Sequence, residues 1–189
     1  GSIRIDGVDI RDFDLQALRS RIGFIPQKAL LFSGTIESNI RFGRLDADRE
    51  EVIHFAKVAQ AYDFITQKPN QFEEVISEGG TNVSGGQKQR LSIARALLMK
   101  PEIYIFDDSF SALDFKTDAK LRAQLKEETK EAITLIVAQR ISSILDADQI
   151  IVLNEGKVVG HGTHHELLKS CTIYQEIAAS QLSEEELAR

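Results

Sequence analysis

Only one cysteine, Cys171, stands among the 189 residues, so no disulfide can form within the chain, and a reducing compartment is its natural setting. Long apolar runs are missing as well. The longest, Ile133–Ala138, includes Thr134 and is far too short to cross a bilayer. Any membrane role then falls to a partner or to residues outside this sequence. Positive charge is not in excess. With 23 Lys and Arg against 29 Asp and Glu, the net charge is −6, which argues against a nucleic-acid binder working through a basic face. The sequence shows no internal repeat and no low-complexity tract. The phosphate-gripping pattern GxxxxGKS/T is missing too: Gly156-Lys157 is followed by valine and lies in a turn-like stretch.

What is present is the balance of an ordinary globular domain, 42% hydrophobic and 28% charged. Ser2–Ile5 alternates and ends at the turn signal Asp6-Gly7, with Val8–Ile10 as a returning strand. Leu15–Arg21 reads as a short helix and Ile22–Pro26 as a short strand stopping at Pro26-Gln27. Thr35–Phe42 and Glu50–Ala61 have helical spacing, with Val52, Phe55, Ala56 and Ala59 on one face. Lys68–Thr81, polar and glycine-bearing, reads mostly as loop. Ser84, with Gln87 three residues later, forms a capping box opening a helix that Pro101 ends. Strands over Ile103–Phe106, Ile133–Ala138 and Gln149–Leu153 alternate with helices over Asp114–Glu128 and Ile141–Leu145. Asn154–Lys157 turns into Val158–Gly160, and helices follow near His164–Lys169 and Ile173–Gln181. The acidic end, Ser183–Arg189, reads as a frayed tail. Strands alternating with helices imply an α/β fold with a largely parallel sheet.

Two stretches carry chemistry. Ligands of an open α/β sheet bind beyond the carboxyl ends of its strands, where IYIFDD places Asp107 and Asp108. An aspartate there can hold Mg²⁺, and a second acid can position an attacking water; two solvated turn residues are the plain alternative. VSGGQ, residues Val83–Gln87, places two glycines and unpaired backbone N–H groups at a helix start, where helix dipole and donors favour a phosphate. The plain alternative there is a capped helix after a flexible loop. His161, His164 and His165 lack further ligands for a metal site and read as solvated surface. Cys171 reads as packing, and Arg90 and Arg95 as partners in structural ion pairs.

The order of the pieces is specific. Gln27 follows a strand, VSGGQ opens a helix, an apolar strand leads to Asp107, SALD follows at Ser111–Asp114, and a strand ends at Gln139. This resembles the nucleotide-binding domain of ABC transporters over essentially the whole chain. The resemblance implies an ABC ATPase fold of the P-loop NTPase kind, with a helical subdomain at about residues 30–100. It implies that ATP and Mg²⁺ are the cofactors. Gln27 takes the place of the Q-loop glutamine and Asp107 that of the Walker B aspartate, both toward Mg²⁺. Val83, Ser84, Gly85, Gly86 and Gln87 match the signature that meets ATP held by a second domain. Ser111, Ala112, Leu113 and Asp114 match the D-loop. FSGTIESNIRFG and SEGG resemble the exporter branch that moves drugs or lipids, although Gly79 stands where that branch has arginine.

Three departures qualify the match. The phosphate loop is missing, so the chain resembles a domain cut just after it. Asp108 stands where active members have glutamate, and the shorter side chain falls short of a general base's reach of about 2.6–3.2 Å. Gln139 stands where histidine is usual; it can hydrogen-bond a phosphate but carries no charge. Asp108 and Gln139, the two catalytic positions, thus resemble the weak site of a heterodimeric exporter. The partners implied are a second nucleotide-binding domain with a competent site and the transmembrane domains, at the cytoplasmic face of the membrane, with no nucleic acid. A non-transport ABC ATPase and a non-catalytic regulatory module are the alternatives. The chain by itself is expected to release no phosphate from Mg-ATP in a steady-state assay, because the phosphate cradle and its lysine are missing. Turnover matching that of an intact transporter would contradict this.

Overall fold

The computed structural model of the chain describes residues 1–182, so the acidic end lies outside the described residues. Two compact units form, one spanning Gly1–Val137 and the other beginning at Ala138. The first opens with a hairpin of β1 (Arg4–Ile5) and β2 (Val8–Asp9). Its turn residues Asp6 and Gly7 have φ of 51° and 81°, the left-handed pair that a tight hairpin requires. After it come α1 (Leu15–Ser20), β3 (Ile22–Ile25), β4 (Gly34–Thr35), α2 (Ile36–Arg41), α3 (Arg49–Val58), α4 (Tyr62–Thr66), β5 (Val75–Ile76), α5 (Gly85–Leu98), β6 (Ile103–Asp107), α6 (Phe115–Glu128) and β7 (Ile133–Val137).

Strands β3, β6 and β7 make a parallel sheet in that order, in the register Phe24–Ile105–Leu135. Its two faces differ. Ile25, Tyr104 and Phe106 point into the core and are buried. On the opposite face, Phe24, Ile133, Leu135 and Val137 are each more than half exposed, at 55%, 61%, 53% and 56%. Parallel sheets are ordinarily covered on both faces, so this apolar face is unusual.

Helix α5 is the centre of the unit. Leu91, Ile93, Ala94 and Leu98 are fully buried, and Ala96 and Leu97 nearly so, leaving little of the helix body exposed. It packs on α2, α3 and β3. The expected face of α3 is also confirmed: Val52, Phe55, Ala56 and Ala59 all enter the core. That helix ends early because Gln60 takes φ of 57°. Residues 68–81 are less irregular than their polarity suggests: they carry two 3₁₀ turns and β5, which pairs antiparallel with β4. Phe72 and Ile76 anchor that stretch in the core, and two isolated apolar residues give no periodic signal. Helix α4 was likewise invisible, being one short turn.

The second unit pairs β8 (Ile150–Asn154) with β9 (Lys157–Gly162), followed by α7 (His164–Ser170) and α8 (Thr172–Gln181). Ile141–Ser143 is a 3₁₀ turn rather than a longer helix. Cys171 is buried with Leu167, Tyr174 and Ala178, as expected of packing. The histidines split. His161 and His165 are exposed, but His164 is buried, its Nδ1 2.8 Å from the Tyr174 hydroxyl. Burial and the neighbouring His165 push its pKa down. The first turn of a helix folded back on α8 hides it, which local polarity could not reveal.

Gly43, just past α2, lies against α5 so closely that a Cβ there would overlap the carbonyl oxygen of Arg95. Backbone cannot yield as a flexible side chain does, so Gly43→Ala is expected to cost about 3 kcal/mol. Gly85 has nothing within 4 Å of the same position, and Gly85→Ala should change stability by less than about 0.5 kcal/mol. Urea unfolding of both variants checks the contrast; equal midpoints would contradict it.

Candidate functional site

The parallel register brings the ends of β3 and β6 side by side, Ile25 beside Phe106. The loops leaving them, at Gln27 and Asp108, therefore meet. Gln27 Nε2 donates to Asp108 Oδ2 at 2.8 Å, joining two residues 81 apart in sequence. Asp108 is mostly buried and held at φ of 45°, a left-handed conformation costly for a non-glycine residue. The loop around it maintains that conformation. Its N–H donates to Val137 O at 2.8 Å, and its carbonyl accepts from Ser111 Oγ at 2.8 Å. The fully buried Ser109 donates its Oγ proton to Ile25 O at 2.7 Å. Phe110 stacks on Phe106 at 5.2 Å between ring centroids.

Asp107 ends β6 and is partly buried. Its carboxylate has no hydrogen-bond partner among the described residues. Among those residues no group of three or more His, Cys, Asp or Glu could hold a metal ion by itself. One carboxylate at a strand end instead fits a hard cation that takes its other ligands from phosphate and water. Asp114 is spent differently from its neighbours: its carboxylate accepts from Thr117 N at 2.9 Å and caps α6. Bonding to Thr117 holds its pKa down.

The capping box at α5 is present. Ser84 Oγ accepts from Gln87 N at 3.2 Å, and Gln87 Oε1 accepts from Ser84 N at 3.0 Å. That leaves the amides of Gly85 and Gly86 as the first open donors of a helix whose start is exposed. Val83 differs from its four neighbours because its side chain is buried in the core. Gly86 lies against the segment 111–114: a Cβ there would stand 3.2 Å from Ala112 O. Ser111 and Ala112 are exposed, while Leu113 is buried. Ser84–Gln87 make no hydrogen bond to Asp107, and Gly86 reaches the acid loop through this backbone contact.

Gln139 belongs to the second unit. There the Gln181 side chain holds its segment by two bonds, Nε2 to Gln139 O at 2.9 Å and Oε1 from Ile141 N at 2.8 Å. Gln181 sits more than forty residues away in sequence, and nothing local pointed to it.

Neither Arg90 nor Arg95 makes the expected ion pair. Arg90 donates to Gly86 O and Gln60 O and lies 4.8 Å from the Phe64 ring. Arg95 donates to Asn39 O at 2.8 Å, Leu30 O at 3.0 Å and Asn39 Oδ1 at 3.0 Å, and lies 5.0 Å from the Phe32 ring. Burial lowers its pKa to about 10. Backbone carbonyls and ring faces meet the buried guanidinium where a carboxylate was expected. Asn39 completes this arrangement by donating to Phe32 O and Thr35 O and accepting from Phe32 N. Beside Arg95 opens a groove of about 250 Å³ lined by Gly23, Phe24, Pro26, Leu30, Phe42 and Met99 among others.

Residues 1–111 match the family described as ABC transporter. An uncharacterized ABC transporter ATP-binding protein of Mycobacterium bovis is 45% identical over 96% of the chain and 31% of its own length. The ABC transporter ATP-binding protein YknU of Bacillus subtilis is 48% identical over 94% of the chain and 30% of its own length. The structure of a bacterial Atm1-family ABC exporter with ATP bound superposes with a TM-score of 0.93 at 39% identity, covering 97% of this chain and 32% of that one. This chain belongs to the ABC transporter family, and its α/β fold is that of the family's ATP-binding domain. It spans about a third of the length of these relatives.

Asn39→Ala would strip the Arg95 guanidinium and the Phe32 backbone of partners inside a buried setting. The expected loss is about 3 kcal/mol of stability in urea unfolding. A loss below about 0.5 kcal/mol would contradict this account of the loop.

Proposed function

We propose that this chain is the part of an ABC exporter's nucleotide-binding domain that follows the phosphate loop, and that it forms the weak-site half of a heterodimer. The observation that carries the reading is the state of the two faces. The signature cap is formed and open to solvent, while the acid that follows Asp107 is short and held by Gln27. The apolar sheet face of Phe24, Ile133, Leu135 and Val137 is exposed, whereas a parallel sheet is ordinarily covered on both sides.

In this reading ATP is bound between two domains. The open amides of Gly85 and Gly86, with the α5 dipole, receive the γ-phosphate of a nucleotide held by the partner. They are donors fixed before reaction, which is how developing negative charge is stabilised at least cost. On the chain's own side, Asp107 and the Gln27 amide oxygen would hold Mg²⁺, whose charge offsets that of the phosphates. Asp108 would orient the attacking water, and Gln139 would hydrogen-bond the γ-phosphate without taking a proton. Both are weak versions of their roles, so this site turns over slowly and the partner's site supplies fast hydrolysis. Coupling to transport runs through a transmembrane partner. The groove beside Arg95, rimmed by the exposed Phe24, Leu30 and Phe42, offers it an apolar seat at the base of the Gln27 loop. Among the described residues no helix is long and apolar enough to cross a membrane, and in this proposal the spans belong to transmembrane domains outside this sequence. Work at the cytoplasmic membrane face and a drug or lipid cargo belong to the same proposal, which rests on the exporter-type segment FSGTIESNIRFG.

Gly85→Asp tests the assignment. Open space surrounds that position, and an acid in the first turn suits the helix dipole, so folding is preserved. The added charge nevertheless meets the γ-phosphate. In the full-length heterodimer at saturating Mg-ATP, Gly85→Asp should lower turnover at least about 100-fold, comparable to loss of an oxyanion donor. Asp108→Ala should lower it less than about threefold, as a site already slow contributes little. If Asp108→Ala proves as damaging, this chain carries the fast site and the proposal is wrong.

A further inference from the structure

Three consecutive residues at the end of β3 are each tied by a different side chain. The carbonyl of Ile25 accepts from Ser109 Oγ at 2.7 Å, and the carbonyl of Pro26 accepts from Gln89 Nε2 at 3.0 Å. The side chain of Gln27 donates to Asp108 at 2.8 Å. Two of the ties come from the acid loop itself. The middle one comes from α5, the helix whose first turn carries the signature.

Gln89 is only 1% exposed, on a helix whose other buried residues are leucine, isoleucine, alanine and Ser92. An apolar side chain of similar length would fill the space but take from the Pro26 carbonyl this hydrogen bond. What the amide adds is direction. A peptide unit is planar, so fixing the Pro26 carbonyl fixes the N–H and Cα of Gln27 with it. Proline restricts φ just before that peptide, and its carbonyl is where Gln89 holds it. We propose that Gln89 is a positioning residue: from within α5 it sets the course of the Gln27 backbone, and so aims the Gln27 amide at Asp108. The inference rests on the reading of Gln27 and Asp108 as parts of an ATP site. It adds that the helix bearing the signature also sets the geometry of the chain's own acid loop.

The test uses the full-length transporter containing this chain, with Gln89→Met, which keeps length and packing and removes the donor. Hydrogen–deuterium exchange should speed up at least threefold in the peptide covering residues 26–33. Exchange in residues 91–98 of α5 and 103–107 of β6 should stay unchanged. For turnover, Gln89→Met and Gln27→Ala are made singly and together, in a pair whose partner site has been silenced by replacing its own catalytic acid. Gln89→Met should lower the remaining kcat three- to tenfold with KM for ATP within twofold. Added to Gln27→Ala, it should lower kcat by less than a further factor of two, because residues acting in series are not additive. Faster exchange spread evenly through α5 and β6, or losses that multiply, would overturn the positioning role and leave Gln89 as core support. Gly85→Asp in the pair with its partner site intact separates the two ideas. If that variant keeps full turnover, the assignment of the signature is what has failed, and the exchange result still decides the role of Gln89.

Discussion

Helix α5 is buried along its body and open at its first turn, and most of the first unit is arranged around that constraint. Each fully buried leucine or isoleucine on it is worth roughly 1.5–3 kcal/mol relative to exposure, and Leu91, Ile93 and Leu98 are all fully buried. That packing fixes the axis of the helix. The axis in turn fixes where the amides of Gly85 and Gly86 point. Gly43 and Gly86 mark two places where backbone must pass close to backbone, against Arg95 and Ala112. Arg95 and Gln89 extend the control of α5 to the loop at residues 26–39, by hydrogen bonds to carbonyl oxygens rather than by charge pairing. A helix so placed presents anion-binding donors at one end and holds the acid-side loop along its flank.

The two sides differ in what they ask of the chain. The signature side needs backbone amides and space, and both follow from Ser84, Gln87 and the two glycines. The acid side needs a carboxylate at an exact reach. There the chain supplies Asp108, shorter by one methylene than a glutamate and fixed by a left-handed backbone, a Val137 carbonyl and the Gln27 amide. A misplacement near 1 Å costs on the order of 100-fold in rate. Binding of phosphate tolerates such a shift better than proton abstraction does. The proposed asymmetry between an open signature and a shortened acid therefore rests on features that lie within one chain.

Most of the scaffold was legible because it rests on local signals. The Asp6-Gly7 turn, the Ser84–Gln87 capping box, the apolar face of α3 and the strand before Asp107 each announce themselves within a few residues. The losses share one cause. Gln89, Ser109 and Gln181 act through hydrogen bonds to backbone groups far along the chain, and an amide or hydroxyl inside a helix or turn carries no sign of its partner. His164 was misjudged for the same reason, since only the fold of α7 onto α8 buries it. Arg90 and Arg95 were given carboxylate partners on the usual expectation for buried cations, while the fold supplied carbonyls and aromatic faces. The family resemblance put Gln27 and Asp107 toward one Mg²⁺ and gave no contact between Gln27 and Asp108. Parallel register between β3 and β6 brings Gln27 and Asp108 together into a bond.

The central claim is that this chain's own acid side is slow while its signature completes a fast site on a partner. A single-turnover experiment with the full-length heterodimer tests it most directly. The transporter is loaded with two radiolabelled ATP molecules and Mg²⁺, and the fate of the bound nucleotide is followed after excess unlabelled ATP is added. The account predicts that one of the two is hydrolysed rapidly while the other stays bound as ATP for many turnovers. Hydrolysis of both at the same rate would contradict it.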